Sequence, residues 1–144
     1  MQYRRVVLDT SVIVAGLRSR LGASNALLTR VAGKRLVPLV TTALFLEYEE
    51  VLLRPEQRLA TGMREADIAG FLAAFASAAE PIEVHFQWRP QLPDPDDEMV
   101  LEAAVNGRAD ALITHNIDDF APVARTFSIP VLTPGKLLKE LEHE

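Results

Sequence analysis

Six aspartates lie in three segments that are far apart in the chain. The segments contain Asp9, then Asp94, Asp96 and Asp97, and finally Asn116, Asp118 and Asp119. Carboxylates held at close range repel one another and raise each other's pKa unless a cation joins them. Hard divalent ions such as Mg²⁺ and Mn²⁺ prefer carboxylate oxygens and water as ligands. If the fold brings the three segments together, the pattern indicates a site for such an ion.

Asp9 is the acid whose position is hardest to explain by folding alone. It ends an apolar run at residues 6–8, and burying a carboxylate there without a partner is unfavourable. A ligand or capping role is therefore needed to keep it in place. Asp94 is predicted instead as a helix N-cap, followed by Pro95 at the first helical position and Asp97 at the third. For Asp97, compensation of the helix dipole competes with a role at the site.

The helical stretch at residues 42–53 supplies further carboxylates. They are Glu47, Glu49 and Glu50. On a helical wheel the apolar face consists of Leu44, Phe45, Tyr48, Val51 and Leu52. Glu47 and Glu49 both flank this face, whereas Glu50 points away from it and is expected to be solvated. Periodicity alone leaves the choice between Glu47 and Glu49 open.

The composition restricts what kind of metal site is possible. The 144 residues contain no cysteine, which excludes disulfides, thiolate nucleophiles, zinc fingers and iron–sulfur clusters. With three histidines in the chain, a metal ion would depend mainly on oxygen ligands.

The net charge of −5 is unevenly distributed along the sequence. Residues 1–64 carry ten basic and five acidic side chains, and residues 65–144 carry five basic and fifteen acidic ones. One explanation is a basic surface that faces a polyanion beside an acidic centre, and the other is uneven solvation without a partner.

The length and composition predict one globular domain at residues 1–144. No apolar run reaches the roughly 18 residues of a membrane-spanning helix, and the first residues lack the apolar region of a signal peptide. We therefore expect a cytoplasmic protein that does not enter a membrane.

Strand and helix patterns alternate along the chain, which is typical of a parallel sheet with helices on both faces. Strands are predicted at residues 4–9, 36–40, 82–86, 111–114 and 129–132, and helices after Thr10 and Ser11, then at residues 24–33, 42–53, 64–79, 97–106, 119–127 and from 133 onward. Ser24 is a candidate N-cap, and Pro38 favours an edge or bent position for the second strand. The fold class is α/β, with three layers and a central, mostly parallel sheet of about five strands.

The predicted topology brings the acidic segments together. Ligands of an open parallel sheet bind beyond the carboxyl ends of its strands. Asp9 ends the first strand, residues 116–119 follow the strand at 111–114, and residues 94–97 open the helix that leads into that strand. All three segments are therefore expected at one edge of the sheet.

Three stretches of the sequence resemble the PIN-domain nucleases. They are VVLDTSVIVAGL at residues 6–17, LFLEYEEVLLRP at residues 44–55 and DPDDEMVLEAAVNGRADALITHNIDDF at residues 94–120. The likeness covers nearly the whole chain in the right order and spacing, and its first and third segments are the specific ones. It is closest to the toxin components of prokaryotic toxin–antitoxin modules.

The resemblance implies a set of site residues. The four acids are Asp9, Glu47, Asp97 and Asp119, and the implied metal ligands are Asp9, Asp97 and Asp119. The supporting residues are Thr10 or Ser11 as the neighbouring hydroxyl, together with Asp94, Thr114, Asn116 and Asp118. Glu47 is the family's helix glutamate, so the resemblance makes the choice that the helical wheel leaves open.

The fourth acid departs from the commonest family pattern. Many relatives have Asp two residues after the strand Thr, where this chain has Asn116. Others have Thr-x-Asn-x-x-Asp-Phe, which Thr114, Asn116, Asp119 and Phe120 match. The resemblance thus favours Asp119, with Asp118 as the alternative, and allows either one or two metal ions.

The resemblance implies a metal-dependent endoribonuclease that hydrolyses RNA phosphodiester bonds with Mg²⁺ or Mn²⁺. It also implies a toxin role, a cognate antitoxin protein as partner, and a homodimer or higher oligomer. Basic side chains would then hold the RNA backbone. The candidates are Arg18, Arg20, Arg30, Lys34 and Arg35, for which a solvated helix face is the competing explanation. His115 is expected to be a solvent-facing loop residue, and Trp88 to cover the core or an oligomer interface rather than stack on a base.

Two other functions fit parts of the pattern. A non-catalytic regulatory or partner-binding module of the same fold would use the acidic edge to hold an ion or a peptide, and Asn116 favours it. A receiver-like phospho-acceptor domain would need an acidic pair after the first strand, where Asp9 stands alone, and a Lys after a late strand, where Lys136 follows Pro134 and Gly135. Mn²⁺ binding without cleavage of RNA would favour the regulatory module.

Overall fold

The computed structural model describes residues 2–87 and 91–143, so Trp88 lies outside the described residues. Its centre is a sheet of β1 (Arg5–Leu8), β2 (Val37–Val40), β3 (Glu80–Pro81), β4 (Ala111–Ile113) and β5 (Val131–Leu132). The strand order is β3-β2-β1-β4-β5, and all neighbouring strands are parallel. The predicted α/β class and three-layer arrangement are confirmed, with a sheet that is parallel throughout.

Eight helices surround the sheet in the described part of the chain. They are α1 (Thr10–Arg18), α2 (Ala23–Ala32), α3 (Thr42–Leu53), α4 (Pro55–Thr61), α5 (Glu65–Ala78), α6 (Pro95–Gly107), α7 (Ile117–Phe127) and α8 (Pro134–Glu142). Among the residues described, no helix combines the length and the apolar character that crossing a membrane requires.

The two central strands form the middle of the hydrophobic core. Val6, Val7 and Leu8 in β1 are fully buried, as are Ala111 and Ile113 in β4. Strands covered by helices on both faces need such continuous apolar runs. We call the side where β1 and β4 end, at Leu8 and Ile113, the carboxyl edge of the sheet, and the opposite side the amino edge.

The prediction that Pro38 places β2 at an edge is wrong, because β2 lies between β1 and β3. The backbone N–H of Val37 points to β1, where it donates to Arg4 O at 2.9 Å. The missing N–H of Pro38 would therefore point to β3, since successive residues of a strand alternate. Pairing with β3 begins only at Leu39, opposite Glu80. Pro38 thus interrupts no hydrogen bond of the ladder.

The strand predicted at residues 82–86 is also wrong. β3 consists of Glu80 and Pro81 alone, and residues 82–87 have no regular secondary structure. The backbone N–H groups of His85 and Phe86 donate to the side chain of Asn106 on α6, each at 2.9 Å. A side chain of a helix thus replaces the neighbouring strand as hydrogen-bond partner.

Two features of the helices differ from the sequence-based expectation. Pro55 ends α3 as expected, but it also begins α4 at the first helical position, a place that proline favours. Ser24 is not the N-cap of α2, because that position belongs to Gly22. Ser24 lies inside α2 and is buried, with its hydroxyl 3.1 Å from His115 Nε2.

Candidate active site

Asp9 lies at the carboxyl end of β1, and hydroxyl groups hold one of its two carboxylate oxygens. Its backbone N–H donates to Ile113 O at 2.9 Å, which fixes it beside β4. Ser11 Oγ and Thr114 Oγ1 both donate to Asp9 Oδ2, at 2.9 and 2.7 Å. Asn116 supports Thr114 by donating its backbone N–H to Thr114 Oγ1 at 2.9 Å. Oδ1 of Asp9 accepts no hydrogen bond from the described residues, so it is available to a ligand.

Glu47 is directed to the same edge by the residue that follows it. Tyr48 is completely buried, and its hydroxyl donates to Leu8 O, the last carbonyl of β1. Its ring packs edge-on against Phe75, with centroids 5.6 Å apart. These contacts anchor α3 beside the end of β1. They leave Glu47 buried and Glu49 exposed.

The environment of Glu47 disfavours its negative charge. Burial is the main cause that raises its pKa, and the charges of Asp96 and Glu50 raise it further. Arg54 opposes this shift, but the same Arg54 forms its ion pair with Glu50 at 3.1 Å. Glu47 therefore holds a proton more readily than an ordinary glutamate.

Asp97 is the carboxylate on which the charges of the edge converge. Asp94 caps α6, accepting from Asp96 N at 2.9 Å as predicted, and this puts Asp97 in the first turn of the helix. Burial raises the pKa of Asp97 to about 6, with further contributions from Asp94, Asp9, Asp119 and Asp96, in that order. The three distant acidic segments of the sequence thus act on one carboxylate, as the topology predicted.

A pocket of about 500 Å³ opens beside Asp97. We call it the acidic pocket, and it is lined by Gln91, Leu92, Pro93, Asp94, Asp97, Asp118, Asp119 and Pro122. Asp118 and Asp119 are exposed in the first turn of α7. The pocket is therefore lined by the acids of α6 and α7, and Asp9 and Glu47 are not among its lining residues.

The donor atoms at this edge fit a hard cation in type, because they are carboxylate and hydroxyl oxygens. Across residues 2–87 and 91–143, however, no three Asp, Glu or His side chains are grouped closely enough to hold a metal ion as they stand. In the same described ranges, no Lys or Arg forms an ion pair with Asp9, Asp97 or Asp119. The carboxylates thus share an edge and a negative field without forming a closed ligand cage.

The basic residues proposed for RNA binding lie between the end of α1 and the start of β2. Arg18 and Arg20 are exposed at the end of α1 and in the following turn, and Arg30 is half-buried within α2. Lys34 and Arg35 follow the end of α2 and precede β2, which places them toward the amino edge. The structure therefore separates Lys34 and Arg35 from the carboxylates.

Three supporting contacts at this edge do not follow from the sequence patterns. The helical wheel places Tyr48 only on an apolar face, although its hydroxyl anchors α3. The Ser24–His115 contact joins α2 to the loop after β4, while the His115 ring is exposed as expected. Glu98 is 4% exposed and accepts two backbone hydrogen bonds. Ser24 and Glu98 are polar residues at buried positions of helices, and this combination is the feature that indicates a supporting contact.

Comparison with known proteins adds an independent finding. The sequence model of one family, described as the PIN domain, matches residues 5–118. The match starts at the first residue of β1, includes Asp9, Glu47 and Asp97, and ends one residue before Asp119. No curated protein sequence matches the chain. Since the matched residues form most of the chain and the fold agrees, this protein belongs to the PIN-domain family, which is in general a family of nucleases.

Proposed function

We propose that the protein is a metal-dependent endoribonuclease whose site is built around Asp9, Asp97, Asp119 and Glu47. The observation that carries the proposal is the convergence of the charges of Asp9 and Asp119 on Asp97 without a basic partner. Such an arrangement disfavours the ionised carboxylates, and a divalent cation reverses this effect. In a member of a nuclease family, a bound cation would activate the phosphodiester and the attacking water.

Asp9, Asp97 and Asp119 would hold Mg²⁺ or Mn²⁺. Asp9 has one oxygen fixed by Ser11 and Thr114 and the other free of hydrogen bonds from the described residues, so its carboxylate is oriented before a ligand arrives. A bound divalent ion would polarise the scissile phosphodiester and lower the pKa of an attacking water molecule. Thr114 and Asn116 act through Asp9, because they orient it.

We assign to Glu47 the role of general base, which accepts a proton from the attacking water. The raised pKa of Glu47 makes it a stronger base than an ordinary glutamate, which favours acceptance of a proton from that water. Asp118 and Asp94 lie in the lining of the acidic pocket, where their charges add to the field that attracts a cation.

The test is cleavage of a labelled single-stranded RNA by the purified protein with Mn²⁺, Mg²⁺ or EDTA. We expect cleavage that EDTA stops. Asp9→Asn should lower the rate by about 100-fold or more, because it removes an oriented ligand, and its thermal midpoint should stay similar or rise. Asp110→Asn is the matched control, since it makes the same change of charge at the amino edge.

Cleavage by Asp9→Asn at the parent rate would refute the site. Tight binding of Mn²⁺ in calorimetry, together with no cleavage of several RNAs, would support the non-catalytic module instead. Asn116 and the absence of a preformed ligand group among the described residues are the observations that favour this second function.

A toxin role, a cognate antitoxin and a homodimer complete the proposal, on the basis of the family resemblance. Expression of the parent should arrest growth of a bacterial host, and expression of Asp9→Asn should not. Light scattering of the purified protein measures the oligomeric state, for which we expect twice the 15.9 kDa mass of the chain.

A further inference from the structure

One face of α6 carries a row of polar residues that holds the segment leading into this helix. Glu98, Glu102 and Asn106 follow one another at intervals of four residues and therefore lie on the same side of α6. Asn106 accepts from the backbone N–H groups of His85 and Phe86. Glu98 makes the equivalent contacts two helical turns away.

Glu98 uses a single carboxylate oxygen for two backbone hydrogen bonds. Its Oε1 accepts from the N–H of Gln91 and from the N–H of Leu92, the latter at 2.7 Å. The side chain is 4% exposed, so water does not replace these bonds easily. Hydrogen bonds to an ionised acceptor are about twice as strong as neutral ones. Glu98 therefore fixes the course of the backbone at residues 91–93.

Residues 91–93 line the acidic pocket together with the carboxylates of α6 and α7. We call residues 91–93 the pocket wall. Pro93 leads directly to Asp94, the N-cap of the helix that carries Asp97. A ligand that occupies this pocket beside Asp97 and Asp119 therefore lies next to the pocket wall.

We infer that Glu98 is a positioning residue, which holds the pocket wall against the RNA substrate and does not bind the metal ion. The part that concerns the substrate rests on the proposed function. Because the wall contacts the bound nucleotide and not the ligands of the cation, its loss affects substrate binding. The expected sign is a higher KM with kcat and Mn²⁺ affinity nearly unchanged.

Two conservative substitutions distinguish a positioning role of Glu98 from binding of the metal ion by its charge. Glu98→Gln keeps the reach of the side chain and an acceptor oxygen but removes the charge. Glu98→Asp keeps the charge but is one methylene shorter, so it cannot hold both N–H groups. Asn106→Ala is the control for the fold, because it releases the same segment at His85 and Phe86, away from the acidic pocket.

Steady-state cleavage of the labelled RNA with Mn²⁺ is the first measurement. Glu98→Asp should raise KM by about tenfold, the lower range for the loss of a supporting residue. Glu98→Gln should raise KM less, because it keeps an acceptor oxygen at full reach but loses the charge, and Asn106→Ala should stay near the parent. Equal damage by Glu98→Asp and Asn106→Ala would reduce Glu98 to a general role in the fold. Greater damage by Glu98→Gln than by Glu98→Asp, with loss of Mn²⁺ affinity, would make it a ligand. Either result overturns the inference.

Amide hydrogen exchange is the second measurement, and it does not depend on activity. Glu98→Asp should accelerate exchange at Gln91 and Leu92 strongly, and Glu98→Gln should accelerate it less. Asn106→Ala should accelerate exchange at His85 and Phe86 and leave Gln91 and Leu92 protected. Unchanged exchange at Gln91 and Leu92 in Glu98→Asp refutes the positioning role whatever the activity. If the parent does not cleave RNA but the exchange pattern holds, the proposed function and the substrate contact fail while the wall contact stands.

Discussion

The amino and carboxyl edges of one sheet use carboxylates in opposite ways. At the amino edge, Arg5 forms two hydrogen bonds with Glu80, with its Nη2 2.7 Å from Glu80 Oε2. Asp110 Oδ2 accepts from the backbone N–H groups of Arg4 and Arg5, at 3.0 and 2.8 Å. The guanidinium of Arg5 lowers the pKa of Glu80 below its ordinary value. Glu80 therefore stabilises the fold while it is charged, and Asp110 ties the start of β1 to the start of β4 through two backbone hydrogen bonds.

At the carboxyl edge the acids face one another. The pKa of Asp97 is raised to about 6 and that of Glu47 is also raised, in both cases first by burial and then by neighbouring carboxylates. Hydroxyl groups orient Asp9 but bring no positive charge. The folded protein is therefore less stable when the carboxylates of Asp97 and Glu47 are ionised than when they are protonated. The difference indicates that the amino edge serves the structure, while the carboxyl edge has the charge that the proposed cation would compensate.

Mn²⁺ should cause the largest change in the free energy of unfolding, and this change should depend on the carboxyl edge alone. At a concentration about 100 times its Kd, a ligand that binds only the folded state adds about 2.7 kcal/mol to the free energy of unfolding. We expect urea denaturation with and without Mn²⁺ to show this gain for the parent and for Asp110→Asn. Asp97→Asn should lose it. An equal gain in Asp97→Asn would mean that the ion binds elsewhere.

Removal of the Asp110 carboxylate should destabilise the amino edge. Asp110→Ala leaves two backbone N–H groups without their acceptor, and we expect it to lower the free energy of unfolding by about 2 kcal/mol. Asp110→Asn keeps an acceptor oxygen and should lose less. Cleavage of RNA per folded molecule should remain at the parent level in both variants. A loss of cleavage with the fold intact would show that the two edges are not independent.

The two edges should also give opposite dependences of stability on pH. The folded-state pKa of Asp97 is about 6, above the ordinary value of 3.8, so folded protein binds a proton more tightly and stability falls as pH rises between these values. Glu80 has a lowered pKa, so its contribution is present above the ordinary value of 4.5 and is lost as pH falls.

In metal-free buffer at pH 7, Asp97→Asn should therefore raise the free energy of unfolding by about 1 kcal/mol, and Glu80→Gln should lower it by about 0.5 kcal/mol. Both differences should disappear well below pH 3.8. Denaturation curves of the two variants and the parent across pH 3–7 measure them. A stabilising effect of ionised Asp97 would contradict the account of the carboxyl edge.

The sequence is sufficient to predict the carboxyl edge but not its supports. Asp9 and Thr114 follow apolar strands, so parallel pairing brings them together, and the same rule collects the acids around Asp97. The choice of Glu47 over Glu49 requires the resemblance or the structure. The hydrogen bond from Tyr48 to Leu8 fixes the orientation of α3 about its axis, and the sequence pattern does not predict this bond. Glu98 could not be assigned, because its partners are backbone groups at residues 91–92, which have no periodic pattern. The sequence predicts a strand at residues 82–86 instead of β3 for a similar reason. There the side chain of Asn106, and not a neighbouring strand, accepts the backbone hydrogen bonds of His85 and Phe86.

The smallest expected effect separates the two ends of α2. Arg20 precedes this helix on the side where Ser24 contacts His115, beside the carboxyl edge, whereas Arg35 follows it next to the start of β2. A helix of ten residues is about 15 Å long, so the two side chains differ in their distance from the acids. Each phosphate contact contributes about one unit to the slope of log affinity against log salt. Arg20→Ala should reduce this slope for RNA binding, and Arg35→Ala should not. Anisotropy titrations at several salt concentrations measure the slopes. An equal reduction in both variants would mean that the RNA is held from both edges of the sheet, and an unchanged slope in Arg20→Ala would remove Arg20 from the RNA contact.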